Sequence, residues 1–223
     1  MREIVLDTET TGLDPAAGHR VVEIACLELV NHLPTGRSYQ CYLNPERDMP
    51  DDARSVHGLS SEFLADKPKF PEVADAFLAF LGDAPLVIHN AEFDINFLNA
   101  ELTRAARPTL PPERAIDTLA LARRKFPGAQ ASLDALCKRF EIDASERTYH
   151  GALIDCDLLS KVYLELIGGR QARLELAASV SAEHRDHREN RAFRAPRAHR
   201  ANAEEVEAHA AMVATLKNPL WRS

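Results

Sequence analysis

The stretch Arg2-Glu3-Ile4-Val5-Leu6-Asp7-Thr8-Glu9-Thr10-Thr11-Gly12-Leu13 decides how the rest of the chain is read. Ile4, Val5 and Leu6 are consecutive and apolar, so a strand from Arg2 to Glu9 is expected to be covered on both faces. Asp7 and Glu9 close it. Residues two apart leave a strand on the same side, which sets two carboxylates side by side at the edge of a buried layer. Outward from there, Arg20 to Val30, rich in Val, Ile and Leu, and Arg37 to Asn44 read as second and third strands. Gly12, Asp14, Pro15 and Gly18 mark the first turn, and the short connections favour antiparallel pairing.

Beyond Pro50 the pattern changes to helix–strand alternation. Glu72 to Leu81 reads as a helix, with Val73, Phe77, Leu78 and Leu81 on one stripe. Pro85 to His89 is a short buried strand, and Glu92 to Ala106 a second helix ended before Pro108. Arg114 to Asp117 is a further strand that runs into a helix through Lys125. Ser132 caps a helix from Leu133 to Phe140. The last long helix runs from Ala152 to Ile167, stopped by Gly168-Gly169. Three strands followed by this alternation imply an α/β layered domain with a mixed sheet.

The 223 residues carry 27 Lys and Arg against 34 Asp and Glu, a net charge of −7, and 45% are hydrophobic. The apolar runs are too short to cross a bilayer, and the apolar content excludes a wholly disordered chain. An acidic balance argues against a protein that coats nucleic acid through bulk electrostatics, but not against one that grips a strand end through metal ions. Cys26, Cys41, Cys137 and Cys156 form no C-x-x-C pair, which fits a reducing compartment. The N-terminus reads straight into a strand, without a long apolar segment or cleavage site, so a cytoplasmic location is expected.

After Gly169 the composition shifts. Between Ser181 and Arg200 arginines recur at 185, 188, 191, 194, 197 and 200, accompanied by three acids and by Phe193 as the one large apolar residue. A nucleic-acid contact strip and a solvated linker both fit this texture, and the scarcity of apolar residues favours the linker. Ala201 to Lys217 is Ala-rich and suits a short helix. Trp221, near the terminus, reads as an anchor for another protein. The expected division is 1–169 as a domain, 170–200 as a linker, and 201–223 as a terminal segment.

Asp94 and Asp155 give the Asp7–Glu9 pair its meaning. Asp94 shares a helical stripe with Phe97 and Leu98, and Asp155 shares one with Leu159, Val162 and Leu166, so both acids face the core. A lone acid on such a stripe is costly unless charge or hydrogen bonds compensate it. Two of them, added to the strand pair, make a shared metal site the economical reading. All-oxygen ligands select Mg²⁺ or Mn²⁺ over Zn²⁺, and two such ions stabilise the attacking and leaving oxygens in phosphodiester cleavage. His150 precedes the last helix by a loop position, with an intrinsic pKa of about 6.5 that suits a general base.

Three segments carry a family resemblance. Val5 to Leu13 resembles the first motif of the DEDD 3′–5′ exonucleases, His89-Asn90-Ala91-Glu92-Phe93-Asp94 the second, and His150-Gly151-Ala152-Leu153-Ile154-Asp155 the third, in its histidine-containing form (DEDDh). Val56-His57-Gly58-Leu59, Phe126-Pro127-Gly128, Ser132 to Cys137 and Thr148 to Leu153 are similar to the epsilon proofreading subunits of bacterial DNA polymerase III. The resemblance implies a ribonuclease H-like domain, a mixed five-stranded sheet flanked by helices, that removes mismatched nucleotides from DNA 3′ ends. It implies Asp7, Glu9, Asp94 and Asp155 as ligands of two metal ions, His150 as the base that activates water, and Thr10, His57, His89, Asn90 and Phe93 around the terminal nucleotide. It further implies that the C-terminal tail binds the polymerase alpha subunit. Gln171-Ala172-Arg173-Leu174-Glu175-Leu176 is similar to the short Q-x-x-L-x-L peptide that docks on the sliding clamp, with Gln171, Leu174 and Leu176 as anchors. An RNA exonuclease of the same superfamily and a catalytically silent adaptor are the alternatives. The tail speaks against the first and the intact acids and histidine against the second.

Overall fold

The computed structural model describes residues 1–145, 151–168 and 201–217. The chain divides into two units, Met1–Arg173 and Leu174–Ser223. The first unit holds strands β1 (Arg2–Thr10), β2 (Val21–Val30), β3 (Leu33–Tyr42), β4 (Leu86–Ile88) and β5 (Ala115–Asp117). Its helices are α1 (Asp51–His57), α2 (Ser61–Leu64), α3 (Phe70–Leu81), α4 (Ala91–Arg104), α5 (Thr118–Lys125), α6 (Leu133–Arg139) and α7 (Ala152–Ile167). The five strands form one mixed sheet in the order β3-β2-β1-β4-β5. The first three pair antiparallel, and β4 and β5 add in parallel. The expected α/β class and mixed five-stranded sheet are what the chain adopts.

β1 lies in the middle because it is apolar on both sides. Ile4 and Leu6 pack with Phe70 and Phe77 of α3 and Phe97 and Leu98 of α4. Val5 points the other way, into a cluster with Leu159 and Val162 of α7, Leu136 of α6 and Ala122 of α5. All three strand residues are fully buried, worth about 1.5–3 kcal/mol apiece. The same alternation sends Asp7 and Glu9 toward the α7 layer and Thr8 toward the α4 layer. Cys156 of α7 sits against the sheet, its thiol 3.4 Å from the Ala25 carbonyl, and all four cysteines are free.

Two features differ from the sequence expectation. β3 begins at Leu33 rather than Arg37. Pro34 and Gly36 mask the strand pattern there, but β3 is an edge strand, where a missing donor and a missing side chain are tolerated. It turns back from β2 through Asn31 and His32, whose φ angles of 51° and 67° are both left-handed, as a tight hairpin of this hand requires. The helices α1 and α2 had no periodic signal. α1 buries only His57, so no apolar stripe marks it. It is closed by Gly58 at φ 75°.

In the second unit the described residues form α8 (Ala203–Ala214). The Asn202 side chain accepts the Glu205 N–H at 2.8 Å and the Glu205 carboxylate accepts the Asn202 N–H at 2.9 Å, a reciprocal capping box. Gln171, Leu174, Leu176, the arginine repeat, Trp221 and His150 lie outside the described residues. Among the described residues no helix is long and apolar enough to cross a membrane.

Candidate active site

The site is assembled at the carboxyl end of β1. Asp7 and Glu9 stand opposite Ala25 and Glu23 of β2, on the face that α7 covers. Gly151 is the N-cap of α7, and the Asp155 N–H makes the first helical bond to its carbonyl at 2.9 Å. Asp155 therefore projects from the first turn, 4% exposed, toward the strand pair. One oxygen from each of Asp7, Glu9 and Asp155 lies within 4.8 Å of the other two.

Asp94 is brought up from the other side of the sheet and is not a member of that trio. It sits in the first turn of α4, 3% exposed, and its Oδ1 accepts the Thr8 hydroxyl at 2.6 Å. Thr8 thus joins the strand that carries two of the acids to the helix that carries a third. The N-terminal ends of α4 and α7 both lead into the site, where the positive end of a helix dipole favours anions. Asn90, which precedes α4, takes a left-handed φ of 66°. Its N–H donates to Asp117 Oδ1 at 3.1 Å, and the same oxygen accepts the Leu119 N–H at 2.9 Å, capping α5.

Crowding of these carboxylates shows in their acidity. Burial raises the Asp7 carboxyl well above its usual range, and the neighbouring charges of Asp94, Glu9, Asp155 and Glu23 raise it further. Burial lifts Asp94 to about 7, against the opposing hydrogen bond from Thr8. A cation placed among them would remove the repulsion and hold them ionised. The donors are all carboxylate oxygens, the set that a hard divalent ion takes.

A cavity of about 530 Å³ opens beside Glu9. Thr10, His57 and Phe93 line it, together with Leu13, Val56 and His19. Leu13 is 85% exposed. The His57 Nδ1 accepts the Leu59 N–H at 3.1 Å, so in the neutral ring Nε2 carries the proton. Asn90 lines a neighbouring cavity of about 260 Å³, which shares Phe93 and Leu13 with the first. His89 lines neither. The Thr118 hydroxyl donates to the Ile88 carbonyl at 3.2 Å and lies 2.9 Å from the His89 Nδ1.

Several further residues shape this region. A Cβ at Gly12 would stand 2.3 Å from the His19 ring, so any larger residue there displaces that ring. His19 in turn lies 3.2 Å from the Thr11 hydroxyl. Sequence reasoning passed over Asp117 and Glu23, polar residues inside otherwise apolar segments, which was the available signal for both; Thr8, between Asp7 and Glu9, carries no such signal.

The sequence profile of the exonuclease family (RNase T) matches residues 4–163. DNA polymerase III subunit epsilon of Rickettsia felis is 58% identical over 179 residues, spanning 79% of this chain and 78% of its own. The chain belongs to the RNase T exonuclease family, among the DNA polymerase III epsilon subunits. The Escherichia coli epsilon subunit is 48% identical over 176 residues, 76% of this chain and 72% of its own. Among solved structures, exonuclease X in complex with 5′ overhanging duplex DNA superimposes with a TM-score of 0.57 at 27% identity, covering 74% of this chain and 90% of that one. The nuclease domain of 3′hExo, a DEDDh family member bound to rAMP, shares the fold with a TM-score of 0.65 at 20% identity, over 74% and 91% of the two chains. This exonuclease is thus of the 3′–5′ epsilon type, and membership carries a requirement for divalent metal ions.

Proposed function

We propose that the exonuclease proofreads for a bacterial DNA polymerase III, and that Asp7, Glu9, Asp94 and Asp155 hold two ions, Mg²⁺ or Mn²⁺, for that reaction. The observation that carries this reading is the oxygen trio of half-buried Asp7 and buried Glu9 and Asp155 within 4.8 Å, in a chain of this family. When bound, the ions supply charge stabilisation at the scissile phosphate. The other tasks belong to the chain. The cavity beside Glu9 takes the terminal nucleotide, with Phe93 and Leu13 as apolar surfaces on which a base can rest. Thr10 and His57 face the same space as polar contacts, and His89 and Asn90 hold the turn into α4. His150 accepts the proton of the attacking water. Water adds to phosphorus, the bond to the 3′ oxygen of the preceding nucleotide breaks, that oxygen takes up a proton to become the new 3′ hydroxyl of the shortened strand, and a nucleoside 5′-monophosphate leaves.

Binding of a frayed 3′ end asks for only a few nucleotides, which suits an acidic protein that is tethered to its target. The tether is the C-terminal part. Residues 171–176, through Gln171, Leu174 and Leu176, dock on the sliding clamp, residues 170–200 span, and residues 201–223 bind the polymerase alpha subunit. The place of work is the cytoplasm.

The test is digestion of a 3′-mismatched DNA primer–template with Mg²⁺, by the natural chain and by Asp7→Ala, with and without purified polymerase subunit. The expected outcome is nucleotide release by the natural chain, faster with the polymerase present, and none by the variant. Undiminished hydrolysis by Asp7→Ala places the chemistry elsewhere. A strong preference for RNA ends over mismatched DNA refutes the proofreading assignment.

A further inference from the structure

Glu23 is an acid that the site does not account for. It is 2% exposed and lies directly across the β1–β2 ladder from Glu9. Like charges in that relation are destabilising. It is also separate from the oxygen trio. Its two oxygens are taken up by protein donors. Oε1 accepts the Gln40 amide at 2.7 Å, and Oε2 accepts the backbone N–H of Ala152 at 3.3 Å. The Tyr42 hydroxyl adds a further hydrogen bond.

Ala152 is the first residue of α7, and the N-terminal amides of a helix have no partner within it. The residue before it is Gly151, which has no side chain to cap the helix. The cap that Ser132 gives to α6 from its own chain is given to α7 from the sheet. Glu23 sits in one row with Glu9 on β1 and Tyr42 on β3, so this single carboxylate fixes the helix end to the strand layer next to the acids. Asp155 follows Ala152 by less than one turn.

We infer that Glu23 is a positioning residue: by holding the Ala152 amide it sets the height of α7 on the sheet, and through it the place of Asp155 beside Asp7 and Glu9. It acts by reach and by accepting a hydrogen bond, not as a ligand or as a charge. This rests on the assignment of Asp155 to the metal site under Proposed function.

Two variants of the full chain separate reach from charge. Glu23→Gln keeps the length and an acceptor for Ala152, and Gln40 can turn its amide to match. Glu23→Asp keeps the charge but is one methylene short of α7. Each is assayed at a temperature where circular dichroism shows it folded, for Mn²⁺ affinity by calorimetry and for kcat and KM on a single-stranded DNA oligonucleotide. Glu23→Gln is expected to stay near the natural chain in every reading. Glu23→Asp is expected to bind Mn²⁺ about 10–100-fold more weakly, with a comparable fall in kcat and little change in KM. The opposite order, equal loss in both variants, or no loss in either overturns the inference. Asp7→Ala run alongside keeps the two levels apart. If it still cleaves DNA, the site assignment fails. If it is inert while the Glu23 pair is unchanged, only the role of Glu23 is rejected.

Discussion

The Thr8 hydroxyl donates to Asp94 Oδ1 across 2.6 Å, a bond between the central strand and the first turn of α4 in a place where neither residue meets solvent freely. It ties the sheet to the helical layer that covers one of its faces.

Thr8→Val keeps the shape of this contact and removes the donor. Asp94 is then left as a buried acceptor with only its backbone donors, at a cost of about 1–3 kcal/mol. Urea denaturation of the metal-free protein checks this. A midpoint unchanged from that of the natural chain would show that the bond contributes nothing.

The carboxyls of Asp94, raised to about 7, and of Asp7, also raised, set the pH response of the metal-free protein. A folded state that keeps its proton when the unfolded chain has lost it gains stability as pH falls. The contribution is fully present below the unfolded carboxyl range near 3.8 and is lost as pH climbs through about 7. Carboxylates with lowered values, such as Asp75 held by Arg107, finish titrating below that window. The metal-free melting temperature should therefore drop between pH 5.5 and pH 8, at about 2–4 °C per kcal/mol, and added Mn²⁺ should raise it most at pH 8. Asp94→Asn should flatten the slope. A slope that survives that substitution has another source.

Gly12→Ala places a methyl group 2.3 Å from the His19 ring, which must leave its place near Thr11. Overpacking of this kind costs about 1–3 kcal/mol. Gly12 and His19 both line the cavity beside Glu9, so steady-state kinetics should show a raised KM for DNA with kcat less affected. A pure kcat effect would move the cavity wall out of substrate binding.

Removal of residues 177–223 should leave nuclease activity in place and abolish co-purification with the polymerase subunit. Changing Gln171 and Leu174 to Ala in the full chain should weaken clamp binding alone. Retention of the polymerase by the shortened protein would show that the tail is not its binding segment.

Much of this architecture is legible in the sequence, because it rests on periodicity. The shared face of Asp7 and Glu9 follows from a repeat of two. The burial of Asp94 and Asp155 follows from their places on apolar stripes, and α7 begins and ends at the residues that the pattern marks. Where the chain lacks a stripe the reading stops. α1 buries one residue, and β3 starts in a Pro- and Gly-containing segment that only its pairing with β2 makes a strand. The closeness of the Asp7, Glu9 and Asp155 oxygens, with Asp94 tied to Thr8 beside them, depends on packing between distant segments. No local pattern encodes such a distance. The same holds for Glu23, whose partner Ala152 belongs to the last helix of the domain.

β1 and α7 stand at opposite ends of the exonuclease domain, yet each brings oxygens to a single spot. A nascent chain still lacking α7 has no Asp155 to offer, however well its sheet has formed. With the ligand set proposed above, the nuclease is expected to stay inert during synthesis until its final helix emerges and docks, a delay that a ribosome-bound chain truncated before α7 would reveal as absence of DNA cleavage.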